Sequence, residues 1–207
     1  MRPEEFVSFL HAHKASAILR TSIGQAAKPA MDAALRGGFK VIEFTLTTPT
    51  ALELIGEFSK RQGIVVGAGT VLSADDAHAA VDAGAAFLVS PVIDEAVIEA
   101  ARSLGVAMMP GTHTPTEMLR AHRAGASLQK LFPAPGIGPT YVKACLGPMP
   151  FLRIVPTSGV DGSNAAAYLQ AGAFAVGFVT SLFDPDDLAA GRFDTIEQRA
   201  RSLLAAL

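Results

Sequence analysis

Lys130 is the only charge inside an apolar run, Leu128-Gln129-Lys130-Leu131-Phe132-Pro133, and Glu43 is the only acid inside another, Lys40-Val41-Ile42-Glu43-Phe44-Thr45-Leu46. Each run reads as a short buried strand. A desolvated lysine holds its proton less tightly, so part of the population is the free amine, a nucleophile toward carbonyl carbon. A buried carboxylate complements it as a proton donor and acceptor. Two other readings fit the same residues: each charge is a strand-end group reaching solvent, or the two form a structural ion pair. Their placement at equivalent points of a repeating pattern points to chemistry, because charges kept in cores concentrate at functional sites.

That pattern is a helical stretch ending at a glycine and followed by a short strand. Gly38 precedes Val41–Leu46, Gly63 precedes Ile64–Gly67, Gly84 precedes Ala86–Val89, Gly105 precedes Val106–Met109, Gly125 precedes Leu128–Leu131 and Gly172 precedes Ala173–Phe178. The first five glycines are spaced by 25, 21, 21 and 20 residues, one helix and one strand per unit, with the glycine as the left-handed residue that ends each helix. Strands at Ser16–Leu19 and Phe151–Val155 bring the count to eight. Eight alternations predict a closed (β/α)8 TIM barrel, a single domain over residues 1–207, with a short N-terminal helix near Pro3–His13 capping its bottom and Asp184–Leu207 closing it. An open doubly wound sheet is the competitor. Gly67-Ala68-Gly69-Thr70-Val71 lacks the third glycine of a dinucleotide loop, so Gly67 and Gly69 read as close backbone approach instead.

Strand parity sets Val41, Glu43 and Thr45 inward and Ile42, Phe44 and Leu46 toward the helices. It sets Leu128, Lys130 and Phe132 inward as well, although Gln129 is a polar intruder on the outward face. Thr45 and Lys130 are the expected neighbours of Glu43. Arg20, Thr70, Ser90, Thr112, His113 and Thr157 follow strands and would ring the same mouth, where a barrel collects its chemistry; each alone is equally compatible with a helix cap.

Composition bounds the partners. Of 207 residues 50% are hydrophobic and 17% charged, which suits one large core, and a formal charge of −2 without basic runs argues against nucleic acid or an anionic membrane. No stretch is long and apolar enough to span a bilayer and no signal-peptide core follows Met1, so a cytoplasmic location is expected. The one cysteine, Cys145, excludes an intrachain disulfide and reads as a packed helical thiol.

Taken in order and spacing, Ala17-Ile18-Leu19-Arg20, Ile42-Glu43-Phe44-Thr45, Val66-Gly67-Ala68-Gly69-Thr70-Val71, Leu88-Val89-Ser90-Pro91, Met109-Pro110-Gly111, Thr114-Pro115-Thr116-Glu117, the Lys130 run and Val155-Pro156-Thr157 resemble the KDPG/KHG (2-keto-3-deoxy-6-phosphogluconate and 4-hydroxy-2-oxoglutarate) aldolases of class I along nearly the whole chain. The resemblance implies a TIM-barrel homotrimer without metal or organic cofactor, acting on a small-molecule 2-keto acid. It implies that Lys130 is the Schiff-base lysine and Glu43 the general acid/base. It also sets Thr70, Pro91, Thr157, Ser158, Gly159 and Thr180 around the substrate.

Two departures matter. Many members carry an arginine four residues after the glutamate, where this chain has Thr47; Arg20 matches an alternative arginine at the end of the first strand and would bind the substrate carboxylate. Phosphate-binding members use glycine-rich backbone resembling Pro-Thr-Gly-Gly and Gly-x-Gly-Ser, whereas this chain reads Pro156-Thr157-Ser158-Gly159 and Gly177-Phe178-Val179-Thr180. An unphosphorylated or weakly phosphate-dependent substrate is therefore expected. His113 stands where a small or apolar residue is usual. A keto-acid-binding barrel without catalysis and a phosphate-binding isomerase or synthase are the alternatives; intact Lys130 and Glu43 weigh against the first, and the altered phosphate loops together with the central lysine weigh against the second.

Overall fold

A computed structural model describes residues 1–207. The chain opens with α1 (Pro3–His13), β1 (Ala15–Leu19), α2 (Gly24–Arg36), β2 (Val41–Thr45), α3 (Ala51–Phe58), β3 (Val65–Gly69) and α4 (Ala74–Asp82). It continues with β4 (Phe87–Val89), α5 (Glu95–Ser103), β5 (Ala107–Met109), β6 (Gly111–Thr112), α6 (Pro115–Arg123), β7 (Gln129–Leu131) and α7 (Pro139–Leu146). It ends with β8 (Ile154–Pro156), α8 (Ala165–Gln170), β9 (Val176–Phe178), α9 (Pro185–Ala190) and α10 (Phe193–Ala205). The spacing glycines act as read: Gly38, Gly63, Gly84, Gly105, Gly125 and Gly172 all have φ between +71° and +116°, a range open to glycine and poorly tolerated by other residues. Cys145 is buried in α7. No helix is long and apolar enough to cross a membrane.

All strand pairs are parallel. They fall into a curled six-stranded sheet, order β5-β4-β3-β2-β1-β9, and a three-stranded sheet, order β6-β7-β8. The expected single closed sheet of eight is thus recorded as two sheets of nine segments. Pro110 causes the split on one side: it has no N–H to extend the ladder, so β5 and β6 are separate. Hydrogen bonds still cross both seams. The Pro110 carbonyl accepts the Lys130 N–H at 3.0 Å, and the Phe174 N–H donates to the Ile154 carbonyl at 2.8 Å. The strand expected at Phe151–Val155 begins only at Ile154, and Phe151 sits exposed in the turn before it.

Parity holds. Ile42, Phe44 and Leu131 belong to the core between strands and helices, whereas Val41, Leu128 and Val155 belong to a second, inner core of 12 buried residues. Helix α1 completes that inner core with Phe6, Val7 and Leu10, as a plug at the N-terminal ends of the strands. Phe6 stacks on Phe87 with ring centroids 4.2 Å apart. Truncating such a ring to Ala costs about 3–5 kcal/mol, so α1 is a structural part of the fold.

Candidate active site

Glu43 is 1% exposed and Lys130 is 3% exposed, so neither is a strand-end group reaching solvent. They do not form an ion pair either: no carboxylate lies within 4 Å of the Lys130 amine, and both Glu43 oxygens lack any hydrogen-bond partner. Burial holds the Glu43 carboxyl above its ordinary value, with the Lys130 and Arg20 charges pulling it back only in part. Burial likewise pushes the Lys130 amine below its ordinary value; Glu43 opposes that shift and Arg20 adds to it. The three charges therefore feel one another without touching.

Glycine makes room for the carboxylate. A Cβ on Gly69, the β3 partner of Thr45, would lie 1.8 Å from Glu43 Oε1, inside any possible contact distance. The same holds at Gly67, where a Cβ would lie 2.5 Å from the Phe87 ring. Both glycines serve close approach, as the sequence suggested. Thr45 does not serve Glu43: its hydroxyl pairs with Thr47 at 3.0 Å and Thr48 at 3.2 Å.

Above these groups lies an open depression of about 610 Å³ lined by Arg20, Thr21, Ser22, Thr47, Thr70, Pro91 and Phe132. Three of the expected substrate residues, Arg20, Thr70 and Pro91, meet here. Phe132 is its link to the amine, since Lys130 Nζ lies 4.8 Å from the centroid of that ring. Arg20 is exposed and makes no ion pair or hydrogen bond, so its guanidinium is free for an anion. Thr70 has φ +60°, a conformation that β-branched residues avoid and that persists chiefly where function fixes it.

The remaining expected residues follow β8 and β9 at the same C-terminal end, outside that depression. Thr157 is buried, and its Oγ1 fills the space a Gly177 side chain would take. Ser158 and Gly159 have φ of +65° and +83°, so the serine follows the backbone course a glycine would. Val179 keeps negative φ and Thr180 is exposed. Ser90 and Thr112 are withdrawn from the mouth: their hydroxyls donate to the Val92 carbonyl at 2.6 Å and the Lys130 carbonyl at 3.0 Å. His113 is tied to the Pro133 carbonyl through Nδ1 at 3.0 Å, an ordinary loop contact. Thr21, Ser22 and Phe132 also line the depression and were not singled out as site residues from the sequence; the Arg20-Thr21-Ser22 run after the first strand was the available signal for the first two.

Fold and site define a parallel α/β protein with a desolvated amine and an unpaired carboxylate under one open mouth, an arrangement fit for imine chemistry on a carbonyl compound. The comparisons agree. The model of the KDPG and KHG aldolase family matches residues 7–199, and the chain belongs to that family. A probable 2-dehydro-3-deoxy-6-phosphogalactonate aldolase of Rhizobium meliloti (strain 1021) is 37% identical over 193 residues, 92% of this chain and 89% of the relative. The KHG/KDPG aldolase of Escherichia coli (strain K12) is 33% identical over 177 residues, 84% of this chain and 83% of the relative. Among solved structures, a 4-hydroxy-2-oxoglutarate/2-dehydro-3-deoxyphosphogluconate aldolase from TTHB1 superposes with a TM-score of 0.84 at 31% identity, covering 100% of this chain and 99% of that one. A native KDPGal structure gives a TM-score of 0.85 at 29% identity over 93% of each chain. The chain is thus an aldolase-family lyase.

Proposed function

We propose that Lys130 carries a class I aldol cleavage of a 2-keto-4-hydroxy acid to pyruvate and an aldehyde. The observation that supports it is a lysine buried on the inward face, free of any ion pair, beside a carboxylate whose oxygens are both unoccupied. The free amine adds to the C2 carbonyl, and loss of water gives a protonated imine. Glu43 passes the protons of these steps. The imine then draws the electron pair of the C3–C4 bond as that bond breaks, the C4 hydroxyl gives its proton to the base, and the aldehyde leaves an enamine of pyruvate. Protonation of the enamine and addition of water release pyruvate and restore the amine. Arg20 binds the substrate carboxylate in place of a cation at Thr47, with Thr70, Pro91, Thr157, Ser158, Gly159 and Thr180 lining the rest.

In this reading the two sheets close into one (β/α)8 barrel through the seam bonds, residues 1–207 act as one domain, and the enzyme is a cytoplasmic homotrimer. Incubation with pyruvate and borohydride should fix the adduct on Lys130 in peptide mass spectrometry; labelling elsewhere, or none, overturns the assignment.

The far end of the substrate is assigned as unphosphorylated. Ser158 no longer supports that assignment, because it reproduces the left-handed backbone; Val179 does, by its bulk, and Ser181 has its hydroxyl donated to the Val160 carbonyl at 2.7 Å. 4-Hydroxy-2-oxoglutarate should match or exceed KDPG in kcat/KM. A hundredfold preference for KDPG, about 2.7 kcal/mol, overturns it.

A further inference from the structure

Gln129 remains unexplained by the chemistry above. It is the polar residue on the outward face of β7, 1% exposed, and its neighbour Lys130 faces the other way. Its Oε1 accepts the Arg153 N–H at 2.9 Å, which fixes the orientation of the amide and leaves the NH2 group without a partner. That group lines a groove of about 540 Å³ between α5, α6 and the start of α1, near the N-terminal ends of the strands and remote from the mouth.

The other walls have a consistent character. Arg153 is held loosely: its Nη1 lies 3.4 Å from Glu4 Oε1 and 3.5 Å from the Ser127 carbonyl, beyond the usual range of a good hydrogen bond. Glu4, its side chain 76% exposed, pairs with this guanidinium only loosely, its two oxygens 3.4 and 3.5 Å from Nη1. Phe151, 50% exposed, presents its ring beside His122, with centroids 4.7 Å apart. An amide NH2 without a protein acceptor, a loosely paired guanidinium and a half-exposed aromatic ring thus line one groove.

We infer that this groove is a second binding site, for a small organic carboxylate with a flat apolar body, whose carboxylate displaces Glu4 from Arg153 and accepts from the Gln129 amide while its body lies on Phe151. The site does not depend on the Lys130 chemistry. Both oxygens of a carboxylate are satisfied by one fork and one amide, and the ring face replaces water over Phe151.

Sodium benzoate is the probe, with benzamide as its uncharged counterpart, followed by backbone amide shifts in the isotope-labelled full chain and by calorimetry. Saturable shifts should cluster at Ser127–Gln129 and Phe151–Arg153. Gln129→Leu should weaken benzoate about tenfold and Glu4→Gln, by removing the internal competitor, should tighten it about threefold. Phe151→Ala, at an exposed position that does not endanger folding, should weaken it as well. The inference is overturned if benzamide binds as well as benzoate, if shifts appear only around Arg20 and Thr70, if no saturable shift appears in the millimolar range, or if Phe151→Ala and Glu4→Gln both leave affinity unchanged.

Discussion

Two carboxylates are buried in this protein, and they are treated in opposite ways. Asp187, in α9, receives Arg192 at 2.6 Å and Arg199 at 2.5 Å, and those hydrogen bonds, Arg199 first, hold its carboxyl below the ordinary value. Glu43, in β2, receives nothing, and burial holds its carboxyl above the ordinary value. The fold is therefore able to satisfy a buried acid where the acid holds two elements together. It leaves one unsatisfied beside Lys130, at the end of the strands where parallel α/β proteins place their chemistry.

The sharpest test removes the amine. Lys130→Met keeps the volume and deletes the nucleophile, so turnover should fall by at least about 10³-fold, in line with the loss of a covalent catalyst. The same change should raise the melting temperature. A lysine whose folded pKa is lowered costs stability fully below that pKa and ceases to do so above its ordinary value, so at neutral pH the substitution removes a cost. A destabilised Lys130→Met protein would make the buried amine a structural group like Asp187.

Glu43→Gln comes next, with an expected loss of about 10²–10⁴ in kcat, the usual worth of a positioned acid/base. Here too the sign of the stability change separates the two acids. A raised folded pKa means that stability falls as pH climbs from the ordinary carboxylate value through the folded one, so Gln should flatten that slope and stabilise at neutral pH. Gly69→Ala tests the same carboxylate from outside: the added methyl meets Glu43 Oε1, and kcat should drop nearly as far while pyruvate still binds. Normal turnover in Gly69→Ala would show that the carboxylate position is not what matters.

Asp187→Asn is the mirror experiment. Two guanidinium groups lose their charge partner, and stability should fall by about 1–3 kcal/mol with kcat within about twofold of the parent. For a depressed pKa the contribution is present above the ordinary carboxylate value and disappears as pH falls through the folded value, so denaturation curves of parent and variant should converge in acid.

The sequence disclosed the inward pair because strand parity and the helix-ending glycines are local signals, each set within a few residues. It disclosed the role of Gly69 only as close approach; that the approaching atom is Glu43 Oε1 depends on the register between β2 and β3, which no spacing states. Ser158 shows the converse. It stands where phosphate-binding members keep glycine, yet it has φ +65°, the left-handed backbone that glycine favours, and its carbonyl accepts the Ala134 N–H at 3.1 Å, a conformation that residue type alone does not announce. The choice between an ion pair and two isolated charges was likewise open in the sequence, and the geometry decides it.

The smallest effect is expected at the rim of the same mouth. Arg20 resembles neither buried acid, since it is exposed and unpaired, and its charge reaches both Glu43 and Lys130 without contact. If it binds the carboxylate of the keto acid, the fork geometry matters more than the charge: lysine offers one ammonium where arginine offers two parallel donors. Arg20→Lys should raise KM for the keto acid about three- to tenfold, roughly 0.7–1.4 kcal/mol, and leave kcat nearly unchanged, because the contact exists in the ground state and the transition state alike. Solvent screening keeps the effect modest at an open rim. A fall in kcat with KM unchanged would instead mean that Arg20 acts through its field on Lys130, and an unchanged KM and kcat would pass the carboxylate to backbone N–H groups of the depression.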